Sequence, residues 1–255
     1  MGELDGKSAL ILGASSQKGI GESIARLFTK EGAKVIVSAR RADPLAALAR
    51  DIGGEAIACD ISSEEEIKKA VAYTVETNGS IDIAVNAAGV NLSAPIAEIT
   101  PDMMQTACDV HLIGPTMFIK HVAAAMENGG SIMTMSSLTA ELTGARLGAY
   151  ASTKTAADKM VQIAALEYGN KGIRVNSLAP GLVRTPMTEQ FFSMPNIVSA
   201  FEKETALGEI ASADEVAFAA LYLASDRCKA TGDIIRVSSG AHLRRLPTAE
   251  EFAKK

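Results

Sequence analysis

Short apolar, β-branched runs recur along the chain, and helical patterns separate them. The runs are 8–12, 34–38, 55–59, 81–85, 131–135, 173–176 and 233–237. Several are almost unbroken, as in parallel strands covered on both faces. Between them, Ile24, Leu27 and Phe28 fall at helical spacing within 23–30. Ser63-Glu64-Glu65-Glu66 reads as a capping box opening a helix to about Thr77. Such alternation predicts an α/β fold, a doubly wound parallel sheet of about seven strands with helices on both faces. The 255 residues allow one large domain or two small ones. No repeat or linker divides the chain, so residues 1–240 are read as a single domain. Segment 186–207, with Pro186 and Pro195 and many Met and Phe, is too long for a simple connection and reads as a lid. Residues 241–255 form a tail, in which Thr248-Ala249-Glu250-Glu251 is placed to cap a short helix.

Lys and Arg total 25 against 30 Asp and Glu, a net charge of -5. That argues against a nucleic-acid partner, which calls for a basic face. Cys59, Cys108 and Cys228 are odd in number and widely spaced. They suit neither a disulfide framework nor a metal site, and read as core thiols in a reducing compartment. No apolar run approaches the roughly 18 residues of a membrane span. The acidic start, Met1-Gly2-Glu3-Leu4-Asp5, lacks a signal-peptide pattern, and Gly6 stands where myristoylation wants Ser or Thr. A cytoplasmic location is expected.

The first strand runs directly into Gly13-Ala14-Ser15-Ser16-Gln17-Lys18-Gly19-Ile20-Gly21. A glycine-rich turn there brings a pyrophosphate to the free N–H groups of the following helix, which makes the predicted fold Rossmann-like. Gly13, Ser15, Lys18, Gly19, Ile20 and Gly21 are the candidate contacts. The second strand ends Ser38-Ala39-Arg40-Arg41, with no acid to hold a ribose hydroxyl. Arg40 offers a planar fork to a 2′-phosphate, with Lys18 as a second cation. The cofactor expected is NADP(H) rather than NAD.

Tyr150 and Lys154 open a helical stretch to about Tyr168 and share one helix face. A nearby ammonium lowers a phenol's pKa, so the pair suits proton exchange with a carbonyl oxygen. Ser136 and Ser137 end the fifth strand, where a hydroxyl can bond the same oxygen.

Together these motifs resemble the short-chain dehydrogenase/reductase family, over about Leu4 to Gly240. The resemblance implies that Asp60, with Ile61 beside it, touches the adenine. It matches Asn86-Ala87-Ala88-Gly89 to a family motif after the fourth strand, making Asn86, Ala88 and Gly89 cofactor contacts. It selects Ser137, thirteen residues before Tyr150, over Ser136. It further assigns Pro180, Gly181, Val183 and Thr185 to the cofactor, and gives Lys154 the nicotinamide ribose. The implied reaction is reversible hydride transfer between NADP(H) and a ketone or secondary alcohol, with Tyr150 as general acid/base. The resemblance also implies a homotetramer, built on the helices around 101–127 and 150–170.

The sequence departs from the family in places. Leu12 replaces the usual Thr, and five residues separate Gly13 from Gly19. Enoyl reductases of the family share that loop spacing but place Tyr and Lys further apart, so a carbonyl reductase is expected. His111 stands where the family usually has an Asn that serves a proton relay. It is either a relay member, with a pKa near 6.5 that suits shuttling, or a helical His satisfying backbone beside Gly114-Pro115. A Val-His-Leu segment here also resembles (3R)-hydroxyacyl-CoA dehydrogenases, so a 3-oxoacyl thioester is the alternative substrate. Met187, Phe191 and Phe192 offer an apolar lining and Arg146 a cation for a substrate anion. A non-enzymatic NADP(H)-binding regulator is the remaining alternative.

Overall fold

The computed structural model describes residues 2–253; Met1, Lys254 and Lys255, the ends of the ranges above, lie outside the described residues. Seven strands form one sheet: β1 (Ser8–Leu12), β2 (Lys34–Ala39), β3 (Glu55–Ala58), β4 (Ile83–Asn86), β5 (Gly130–Met135), β6 (Ile173–Pro180) and β7 (Ile234–Val237). Their order is β3-β2-β1-β4-β5-β6-β7. Every neighbouring pair is parallel. The order reverses beside β1, so the crevice between the carboxyl ends of β1 and β4 is the natural ligand site.

Alternation along β1 divides the core. Ala9 and Ile11 face one layer of helices, Leu10 and Leu12 the other. The first layer holds α1 (Ile20–Lys30), α2 (Ala42–Ile52) and, well beyond them in the chain, Ala213–Ala224. The second layer begins with α3 (Glu64–Asn78), α4 (Pro101–Cys108) and α5 (Gly114–Ala125) and ends with the long α6 (Gly148–Tyr168). Phe28 and Phe118 fill the two layers with no exposure. Burying each contributes roughly 1.5–3 kcal/mol.

The connection after β6 contains α7 (Glu189–Phe192) and α8 (Pro195–Lys203). It leads into α9 (Ala213–Ala224) and β7, and the chain ends in α10 (Ala249–Ala253). Strand β6 runs four residues further than its sequence pattern, because β7 pairs with Ser177 to Pro180. Ser63 caps α3 as expected, accepting from the Glu66 N–H. The reciprocal bond differs: the Glu66 carboxylate takes the Asp60 N–H instead. A complete capping box forms at Ser212 and Glu215.

Candidate active site

Two cavities open at the carboxyl edge of the sheet and meet at Met187. The larger, about 620 Å³, is a cleft running from the β1 turn across the ends of β2, β3 and β4. Of the residues predicted to bind cofactor, Gly13, Ser15, Gly19, Ile20, Gly21, Arg40, Asp60, Ile61, Ala88, Gly89 and Thr185 line it.

The turn's glycines are required by close backbone approach. A Cβ on Gly13 would sit 2.4 Å from the Ala87 carbonyl carbon, and its φ of +93° disfavours other residues. A Cβ on Gly21 would sit 2.6 Å from the Gly13 carbonyl oxygen. Helix α1 begins at Gly19 with no side-chain cap, so its first N–H groups are left for a ligand. An uncapped N-terminus under a cleft of this size fits the pyrophosphate of a dinucleotide.

The adjacent arginines differ. Arg41 donates to the Ser15 carbonyl at 2.8 Å and to the Ser16 hydroxyl at 3.1 Å, which ties the guanidinium to the phosphate turn. Arg40 is exposed and lies 3.8 Å from the Asp60 carboxylate. Arg41 was not singled out from sequence; the Arg-Arg pair was visible, but strand alternation ends at Ala39 and does not say which side chain turns inward. Lys18 does not line the cleft. It is exposed, its φ is +60° and its N–H donates to Glu22 at 2.6 Å. Asn86 is buried and accepts the Ala88 N–H at 3.1 Å, bracing the β4 turn rather than lining it. Val183 is buried, with its carbonyl held by Thr188.

The smaller cavity, about 220 Å³, is lined by Ser137, Tyr150, Pro180, Gly181, Met187 and Phe191 among others. Here three consecutive residues ending β5 meet one face of α6. The Met135 carbonyl accepts from Lys154 Nζ at 2.6 Å. The Ser136 hydroxyl donates to Asp158 at 2.6 Å. Ser137 lines the cavity beside Tyr150, and its hydroxyl accepts from the Thr139 N–H at 3.2 Å and the Thr139 hydroxyl at 2.9 Å. Tyr150, Lys154 and Asp158 follow at i, i+4 and i+8, so one helical stripe carries all three. Asp158 could have been found by extending the Tyr-Lys spacing one turn.

Burial raises the Tyr150 pKa, partly offset by Ser137. The sequence expectation was a depressed pKa, but Lys154 Nζ sits 5.7 Å from the ring centroid and points to Met135. Burial likewise pulls the Lys154 pKa down to about 8, against the opposing charge of Asp158. Lys154 therefore stays cationic at neutral pH. Burial raises the Asp158 pKa, and its Oδ1 has no partner among the described residues.

His111 lies in a single π-helical turn, Asp109–Ile113, between α4 and α5. A Cβ on Gly114, at its end, would meet the Ile61 carbonyl oxygen at 2.2 Å. The imidazole Nε2 accepts the Val90 N–H at 3.1 Å, which leaves its proton on Nδ1, 3.2 Å from Thr153 Oγ1. Its ring stands edge-on to Tyr150 at 5.1 Å. Burial and then the Lys154 charge depress its pKa to about 3. The ring is neutral at physiological pH, and the backbone group it satisfies is the Val90 N–H, not one beside Gly114-Pro115.

Arg146 does not reach either cavity. It is exposed with φ +69°, and its carbonyl accepts from Ala94. Phe192 lies under the Arg184 guanidinium at 5.4 Å and also stays outside. The cavity's cation is Arg245, from the tail, beside Glu204 and Leu246. Nothing in the local sequence around Arg245 signals that return.

A family model described as enoyl-(acyl carrier protein) reductase matches residues 13–242. The mitochondrial borneol dehydrogenase of Lavandula x intermedia is 36% identical, covering 94% of this chain and 92% of its own length. The chain belongs to the short-chain dehydrogenase/reductase family. Another member, the 7alpha-hydroxysteroid dehydrogenase of Escherichia coli strain K12, is 35% identical over 93% of this chain and 94% of its own. A solved short-chain type dehydrogenase/reductase from Mycobacterium ulcerans superposes with a TM-score of 0.93 at 30% identity, covering 98% of this chain and 94% of that one. The protein is thus an oxidoreductase acting on a CH–OH/C=O pair. Among its described residues no helix is long and apolar enough to cross a membrane.

Proposed function

We propose that this reductase interconverts an uncharged apolar ketone and its secondary alcohol, with NADP(H) as hydride partner and Tyr150 as the proton donor. The observation that carries this is the junction of β5 with α6. Ser137 and Tyr150 face one cavity together, while the buried Lys154 ammonium stands behind the phenol. The nicotinamide, when bound, supplies or accepts the hydride. Because burial raises the Tyr150 pKa, the phenol is protonated at neutral pH and is ready to deliver its proton to a carbonyl oxygen. Ser137 bonds the same oxygen. Lys154 stabilises the phenolate left behind.

Arg41, tied to the phosphate turn, and Arg40 follow β2 where a ribose-binding acid would stand, which supports NADP(H) over NAD. The thioester alternative draws less support. Arg146 is remote, and Arg245 is paired with Glu204 and Glu251. A cytoplasmic location is supported by buried Cys59 and Cys228 thiols, with Cys59 pushed up to about 12 and unreactive. Exposed Ile113, Ile163 and Leu166 on the helical face support self-association.

Tyr150→Phe tests the reading. NADPH oxidation with a panel of cyclic ketones should fall about 10²–10⁴-fold, while NADPH affinity, followed by its fluorescence, stays within twofold. A Tyr150→Phe variant that keeps wild-type turnover overturns the assignment. Tight NADPH binding by the wild type with no ketone reduced favours the regulatory alternative.

A further inference from the structure

The tail does not trail away from the domain; it returns to the lid. Arg245 lies 2.8 Å from Glu204, just past the end of α8. The same guanidinium makes a two-pronged contact with Glu251 of α10, at 2.7 and 2.8 Å. Phe252 of α10 stacks on Phe201 of α8, with centroids 6.0 Å apart and planes 18° from parallel. Arg244 adds a bond to the Lys203 carbonyl at 2.8 Å. Leu246 fills the space that a side chain on Gly144 would occupy, 2.7 Å from that missing Cβ. Arg245, Leu246, Phe201 and Glu204 all line the cavity that holds Ser137 and Tyr150.

We propose that the ion cluster Arg245–Glu204–Glu251 clasps the tail onto the lid and thereby sets the size and charge of substrate the reductase accepts. This rests on the oxidoreductase reading above. Two carboxylates outweigh the one guanidinium, so this wall repels an anion, and the substrate it accepts carries no negative charge. Leu246 and Phe201 make the rest of the wall apolar, which selects a compact hydrophobic body. The clasp is half-exposed, with 52% of the Arg245 side chain accessible. Such pairs hold weakly and are screened by salt. The closed tail is therefore close in free energy to an open one, and losing one partner shifts the balance.

The test uses the full chain and Glu251→Gln, a change outside the cavity lining that removes the tail's anchor. Arg245→Lys keeps the charge without the planar fork. Reduction of cyclohexanone, a decalone and a steroid ketone by NADPH is measured, with hydrogen exchange over residues 195–205 and 241–253. In Glu251→Gln, exchange in both segments should quicken about two- to fivefold while the cofactor cleft stays unchanged. The ratio of kcat/KM for steroid ketone over cyclohexanone should rise about two- to fivefold, with Arg245→Lys intermediate. High salt should move the wild type the same way. Unchanged exchange overturns the clasp, and faster exchange with an unchanged ratio overturns its role in specificity. If the wild type reduces none of the ketones though NADPH binds, the oxidoreductase reading fails instead. Thermal shifts by the same ketones then give the size ratio that decides the specificity proposal.

Discussion

The two cavities are built from different materials. The cofactor cleft is built around closely approached backbone at the glycine turn and the uncapped start of α1, with Arg40, Arg41 and Asp60 among its lining. The substrate cavity is walled by side chains from a loop, two short helices and the returning tail. A backbone wall admits one ligand geometry and tolerates no added atoms. A side-chain wall can be changed residue by residue without disturbing the sheet. One scaffold can thus hold its cofactor constant while its substrate varies.

Substitutions on opposite sides of Met187 should behave accordingly. The largest effect is expected from Gly13→Ala, whose new methyl group meets the Ala87–Ala88 peptide at 2.4 Å. It should cost about 1–3 kcal/mol of stability and at least tenfold in NADPH affinity, read by thermal unfolding and fluorescence titration. Phe191→Ala, in the substrate wall, should leave NADPH affinity within twofold and change KM. Equal damage to cofactor binding from both would break the distinction between the two walls.

Next in size are the arginines. Arg41→Ala removes a guanidinium already fixed to Ser15 and Ser16. It should weaken NADPH about tenfold or more, the loss of one charge-assisted bond at roughly 1.5–3 kcal/mol, and leave NADH almost unchanged. The exposed Arg40 should matter less in the same titration, and the reverse order would place the phosphate on Arg40.

The smallest effect concerns His111. Its native pKa of about 3 lies below its ordinary 6.5. Between those values the unfolded chain binds a proton that the folded one refuses, so stability falls as pH drops through that window. His111→Asn should remove about one proton's worth of that slope in a series of melting temperatures from pH 7 to pH 4. The pH midpoints of kcat should not move. A shifted midpoint would restore His111 as a titrating relay.

Much of this was legible in the sequence, and unevenly so. All seven strands were: burial on both faces forces continuous apolar runs in β1, β2, β4, β5 and β6, and the half-exposed β3 and β7 at the sheet edges still showed as short apolar runs. So were the glycine turn, which follows a strand end, and the Tyr150–Lys154 pair, which shares one helix face; Ser137 was separated from Ser136 only through the family resemblance. Arg245 and Glu204 were not. Their meeting depends on where the chain leads after β7, and no periodicity encodes that. Lys18 and Arg146 misled for a simpler reason: both adopt positive φ, which turns each side chain away from where a regular backbone would have pointed it.

The bare N-terminus of α1 has a consequence for the protein's lifetime. Its orphan donors are matched only when an anion arrives, so the dinucleotide binds the folded chain and not the unfolded one. At a free concentration 100 times its dissociation constant, such a ligand adds about 2.7 kcal/mol to stability. That lowers the unfolded fraction roughly 100-fold, and with it the share of chains open to proteolysis. A fall in the dinucleotide supply would then shorten the survival of the enzyme as well as slow its chemistry.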